Sequence, residues 1–134
     1  MPSFDDETWT AAAPEEVWKA LYDPMRFPEW WDGLATVTPG DAKGGDGDIT
    51  LYPEGYPDFP MPQQLTTRTS QRQVIVSCMV SDLIFDWRLE PLDGDAGTRI
   101  AVHVEIPEQE AARLPAQREI VARSLRNLAI VATT

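Results

Sequence analysis

The chain has 134 residues, 43% of them apolar, and one cysteine, Cys78. That bounds it to one domain with enough chain to bury a core and no internal disulfide, and no apolar run approaches the about 20 residues of a membrane helix. The net charge of −11 sits in residues 1–106, which carry −12 against +1 from Pro107 onward, a field that repels nucleic-acid phosphates and anionic lipid headgroups.

Five tryptophans, three tyrosines and four phenylalanines are many for this length, so much aromatic area must be buried or line a cavity. The segment Met1–Glu7 is acidic and lacks the basic and apolar regions of a signal peptide. With the lone cysteine, this makes a cytoplasmic protein the expectation.

Thr8, Trp9 and Thr10 favour a first strand over Phe4–Ala11. Pro14 opens a helix over Pro14–Tyr22, with Glu15 and Glu16 complementing its dipole. Val17, Trp18, Leu21 and Tyr22 share one of its faces. Asp23 precedes Pro24 and ends it. A second short helix follows, interrupted near Pro28 and ending after Trp30-Trp31 at Asp32-Gly33.

Leu34–Thr38 and Ile49–Tyr52 read as strands around a Gly- and Asp-rich loop, Pro39–Asp48. Pro53–Pro62 holds four prolines with Tyr56 and Phe59 between them and reads as a stiff aromatic flap, not a central strand. Leu65–Ser70, Val74–Ser81 and Ile84–Glu90 are further strands, and Asp93–Gly97 is a hairpin turn. Thr98–Ile106 alternates, with Ile100, Val102, Val104 and Ile106 opposite Arg99, Ala101, His103 and Glu105. From Pro107 the chain is helical, with a break or fresh start at Leu114-Pro115 and a stripe of Val121, Leu125, Leu128 and Ala132. The fold class is α+β: an antiparallel sheet of about six or seven strands whose apolar face the last helix covers.

The run APEEVWKALYDPMRFPEWW, Ala12 to Trp31, resembles the opening of the START-like (SRPBCC) helix-grip superfamily, and within it the bacterial polyketide cyclase/dehydrase and lipid-transport group. The order and number of the later elements agree over nearly the whole chain. The resemblance implies a single ligand-binding domain over 1–134: a curved sheet wrapped around a long C-terminal helix, two short helices after the first strand, and a cavity between sheet and helix. Because this superfamily mixes carriers, enzymes and regulatory proteins, it leaves activity open.

Trp30 and Trp31, with Tyr52, Tyr56, Phe59 and Met61, can form the mouth of that cavity. Core packing is the alternative for either tryptophan, with at least one expected to touch the cavity. Phe85 and Trp87 share the face of Leu89, opposite Ile84, Asp86 and Arg88, and form either cavity wall or plain core. Val121, Leu125 and Leu128 would be the helix's contribution. Arg68 is expected to face solvent, with Leu65, Thr67 and Thr69 turned inward; pointing inward, it would hold a carboxylate or enolate oxygen. His103 is expected outside, alternating with core residues. Were that face to line the cavity, His103 and Glu105 would be the first acid/base candidates; Arg68 and Tyr52 complete the catalytic candidates.

In the family's sheet order a strand separates Cys78 from His103, about 9–10 Å, too far for a nucleophile and its base. Cys78 then reads as a small core residue. Asp41–Asp48 is no calcium loop, because Lys43, Gly45 and Tyr52 fall where ligands belong. With neither a Cys/His cluster nor a phosphate loop, no metal, cofactor or nucleotide is expected.

Three functions follow from these readings. The first is binding of a hydrophobic or polyaromatic small molecule, lipid- or polyketide-like. The second is a polyketide aromatase/cyclase or dehydratase. The third is a regulatory or stress-response interaction module without a small ligand. The expected partner is a hydrophobic small molecule, without nucleic acid or membrane insertion, and with a homodimer left open.

Overall fold

The computed structural model describes residues 2–39, 47–55, 60–79, 83–93 and 96–133. Strand β1 (Ser3–Thr10) buries Phe4 and Thr10 and leaves Trp9 exposed. Helix α1 (Pro14–Leu21) begins on Pro14, where a missing N–H removes no helical bond. It buries Val17, Ala20 and Leu21. Trp18 and Tyr22 stack on each other at its flank, 5.7 Å between centroids.

The next segment, Pro24–Glu29, is a 3₁₀ helix that runs through Pro28 where an interruption is expected. The Asp23 carboxylate caps it, accepting from the Met25 N–H at 3.0 Å. Pro28 has no N–H to donate to the Pro24 carbonyl, so α-helical pairing cannot form at that step.

Strands β2 (Leu34–Pro39), β3 (Gly47–Pro53), β4 (Met61–Arg68), β5 (Gln73–Cys78), β6 (Ile84–Pro91) and β7 (Thr98–Glu105) complete the sheet. All neighbours are antiparallel, in the order β1-β7-β6-β5-β4-β3-β2. The two helical segments carry the chain from one edge to the other; each later strand pairs with its predecessor until β7 meets β1. Helix α2 (Leu114–Val131) covers the inner face, with Val121, Leu125 and Leu128 in the core. A 3₁₀ stretch, Glu108–Arg113, leads into it through a non-helical Glu110 (φ −117°, ψ 19°), so Leu114-Pro115 is a fresh start. The architecture is the curved antiparallel sheet and long C-terminal helix of the helix-grip fold.

Both boundaries of β4 differ from expectation. Strand β4 starts at Met61, taking in residues assigned to the flap. Pro62 is tolerated there because β4–β5 pairing begins only at Gln63↔Cys78, and the Pro62 carbonyl accepts from the Met79 N–H at 3.0 Å. At the other end β4 stops at Arg68, and Thr69–Gln71 forms a 3₁₀ turn, so Thr69 is exposed, not inward. The Gly/Asp-rich loop at 40–46, Tyr56 and Phe59 of the flap, and Ser81-Asp82 lie outside the described residues. Among the described residues no helix is long and apolar enough to cross a membrane.

Candidate functional site

The 3₁₀ helix delivers Phe27, Trp30 and Trp31 to the inner face of the sheet. The Trp30 and Trp31 backbone N–H groups both donate to the Phe27 carbonyl, at 3.1 and 2.8 Å, closing a tight turn at the two tryptophans. Trp30 is fully buried and its indole N–H donates to the Ala20 carbonyl at 3.0 Å. Trp31 stacks on Trp30 and meets Phe85 edge-on, at 5.4 and 4.9 Å between centroids. Helix α2 fixes this turn through three residues. Ser124 Oγ accepts from the Asp32 N–H (2.9 Å), Asn127 donates to the Trp30 carbonyl (3.1 Å), and Arg123 pairs with Asp32 (2.7 Å). The hydrogen bond from Arg123 to Asp32, and then their opposite charges, hold the guanidinium pKa above its ordinary value.

Beside this turn lies a cavity of about 590 Å³, within the usual range for small-molecule sites. Its apolar wall comprises Trp31, Leu34, Leu51, Met61, Leu83 and Phe85, from the tryptophan turn and strands β2 to β6. Its second wall is Glu110, Arg113, Gln117 and Ile120, from the 3₁₀ stretch and the first turns of α2. Gln63, Cys78 and Asp32 also border it. Gln63 and Gln117 border the hollow and are buried, 4% and 6% exposed, and the Gln63 amide N–H donates to the Met61 carbonyl at 3.3 Å. Arg113 donates to Glu110 Oε1 at 2.7 Å, while Glu110 Oε2 is buried without a hydrogen-bond partner.

The structure divides the residues singled out in the sequence. Trp31, Met61 and Phe85 meet at the cavity. Trp30 and Trp87 do not line it: they pack against each other at 5.0 Å within the solid core. Val121, Leu125 and Leu128 are core as well, because α2 presses its middle onto the sheet and only its first turns stand off. Tyr52 takes the outer parity of β3, next to inward Leu51, and is absent from the wall.

The catalytic candidates Arg68, His103 and Glu105 are also away from the cavity. Arg68 is exposed and donates to Gln73. His103 and Glu105 project from the outer face, opposite Val102 and Val104, and His103 Nδ1 sits 2.9 Å from Asp5. That outer face holds its own open hollow of about 680 Å³, where Arg88 pairs with Asp86, Arg99 with Glu7 and Glu90, and His103 meets Asp5. Cys78 points inward from β5 and His103 outward from β7, with β6 between them, so no dyad forms.

Sequence reasoning did not pick out Gln63, Glu110, Arg113, Gln117 and Ile120. Gln63 shares the inward parity of Leu65, and that alternation was a usable signal. Gln117 lies one helical turn before Val121, so it continues the apolar stripe with a polar residue. No pattern flags Glu110, which precedes the helix at a break.

The sequence matches the polyketide cyclase / dehydrase and lipid transport family over residues 1–133. The chain belongs to that family. Solved structures agree on the fold. The chain is similar to a protein from Bacillus thuringiensis (12% identity, TM-score 0.80), with 99% of this chain and 100% of that one covered. It is also similar to the Zhui aromatase/cyclase from Streptomyces sp. R1128 (14%, TM-score 0.79), covering 98% and 93%. A START superfamily protein from Mycobacterium smegmatis shares 14% identity at a TM-score of 0.68, covering 92% and 93%. No curated protein matches the chain.

Proposed function

We propose that this protein binds a hydrophobic, aromatic small molecule, polyketide- or lipid-like, in the cavity between strands β2–β6 and the start of α2. The observation that carries this reading is a hollow of about 590 Å³ walled by Trp31, Phe85, Met61 and three leucines. Burying apolar ligand area there supplies affinity at about 25 cal/mol per Å², before ordering costs. Gln117, a polar side chain on the wall, supplies a group that orients the ligand.

Cys78 is the only cysteine and borders the cavity, so it reports occupancy. Titration with a panel of aromatic polyketides and lipids is expected to shift tryptophan emission, raise the melting temperature and slow Cys78 modification by a thiol reagent. A panel that leaves all three unmoved overturns the reading.

A polyketide aromatase/cyclase or dehydratase is the second reading, favoured by the fold shared with the Zhui enzyme and by ionisable Glu110 at the wall. It places the chemistry at Glu110 and not at His103. Turnover of a polyketide-like substrate that survives Glu110→Ala but not His103→Ala would reject that assignment.

A further inference from the structure

Most polar side chains around the cavity are already engaged. The Gln63 amide donates to the Met61 carbonyl, Glu110 pairs with Arg113, and Asp32 pairs with Arg123. Gln117 differs. It is 6% exposed, borders the cavity, and its side chain makes no hydrogen bond among the described residues. Yet its amide is not sealed in, as the partnerless Trp87 Nε1 and Glu110 Oε2 are: both Gln117 amide atoms remain within reach of a water molecule, and on this wall the opening is the cavity. Gly33, Pro60 and Arg113 are exposed and rim the mouth, and Gln117 lies one helical turn further in than Arg113. An amide donates and accepts at once. Water satisfies both roles until a ligand covers them. Hydrocarbon laid over the amide removes those hydrogen bonds and returns none, a loss of about tenfold or more in affinity. An oxygen substituent restores one.

We infer that Gln117 is a specificity-determining residue of this cavity, selecting a ring that carries a hydroxyl or carbonyl oxygen over bare hydrocarbon and over the alkyl chain of a lipid. This rests on the reading that the cavity takes an aromatic small molecule, and it narrows the class. The sheet wall offers Trp31, Phe85 and Met61 to the face of a ring. The helix wall opposite presents the Gln117 amide to an oxygen at the ring's edge. A lipid whose head group stays at the mouth lays methylenes across that amide, because Gln117 lies behind the rim.

The test pairs 2-naphthol with 2-methylnaphthalene, one shape with a hydroxyl exchanged for a methyl group, and adds dodecanoate as the saturated chain. Each is titrated by calorimetry into the full chain and into Gln117→Met and Gln117→Leu; methionine keeps glutamine's length without its amide. The naphthol-to-methylnaphthalene affinity ratio should fall about tenfold or more in both variants. Comparing ratios between proteins isolates the hydroxyl–amide contact, because the probes' own difference in hydration cancels. Dodecanoate should bind both variants about tenfold more tightly than the unaltered protein. Gln117→Met should melt at or above the parent's temperature, since a buried amide without protein partners gives way to an apolar side chain. An unchanged ratio overturns the assignment of Gln117, and so does dodecanoate that binds the unaltered protein as tightly as the variants. A marked fall in the melting temperature of Gln117→Met shows that the amide supports the fold and also overturns it. Failure of all three probes on the unaltered protein, with the broader panel also silent, removes the cavity reading itself; panel binding without naphthalene binding removes only this selectivity.

Discussion

Truncating the two adjacent tryptophans should separate packing from binding. Trp30 is enclosed on all sides, 1% exposed, and its buried indole N–H donates to the Ala20 carbonyl. Trp30→Ala therefore removes a full core side chain and strands a buried carbonyl; it should cost about 5 kcal/mol, the upper end for such truncations. Trp31 has similar ring partners in Trp30, Phe85 and Trp87, but it also borders the cavity. Fewer contacts are lost when it goes, because part of its surface already faces empty space. Trp31→Ala should cost about 3 kcal/mol, the lower end of the same range. For a chain of this size that is a fall in melting temperature of roughly 10 °C. Ligand affinity should respond in the opposite order, with Trp31→Ala losing most of it and Trp30→Phe keeping it. Thermal melts and ligand titration on these variants check both orders. Trp31→Ala destabilising more than Trp30→Ala, or binding as the parent does, would refute the placement of Trp31 at the wall.

Gly97→Ala should destabilise by well over 1 kcal/mol, because φ is +131° and a Cβ there would overlap the Thr10 carbonyl oxygen and approach Ala11 Cα to 2.9 Å; chemical denaturation reads this. Ser124→Ala leaves the Asp32 N–H without its 2.9 Å acceptor and should cost about 1–3 kcal/mol. It should also weaken ligand binding by loosening the tryptophan turn, measured by the same titration. His103→Ala removes a half-exposed ring from the far face of the sheet and should leave ligand affinity unchanged.

Much of the fold could be read because hydrophobic alternation and proline placement are local signals. The alternation along Thr98–Glu105 puts His103 and Glu105 outside, and the observed burial follows it residue by residue. Pro14 marks its helix start for the same reason: φ and the missing N–H act on the residue itself. The cavity was less legible, since it depends on where α2 stands off the sheet. Val121, Leu125 and Leu128 have the periodicity of a wall or of a core, and only the tilt of the helix decides between them. The indoles of Trp30 and Trp31 are equally apolar, and a hydrogen bond to Ala20 ten residues back sorts them. Pro62 misled because a proline count says nothing about where pairing to the next strand begins.

The ladder joining β1 to β7 links Ser3 to Glu105 and Thr10 to Thr98. Every rung of it closes a loop of roughly ninety residues or more, an entropic toll that delays such pairings relative to the hairpins between them. During synthesis β1 therefore waits, unpaired, until nearly all the other strands have left the ribosome. Assembly speed should be governed by this late closure, and a circular permutant that joins the termini, leaving only the 3₁₀ stretch and α2 between β7 and β1, should fold faster than the parent without altering the finished structure.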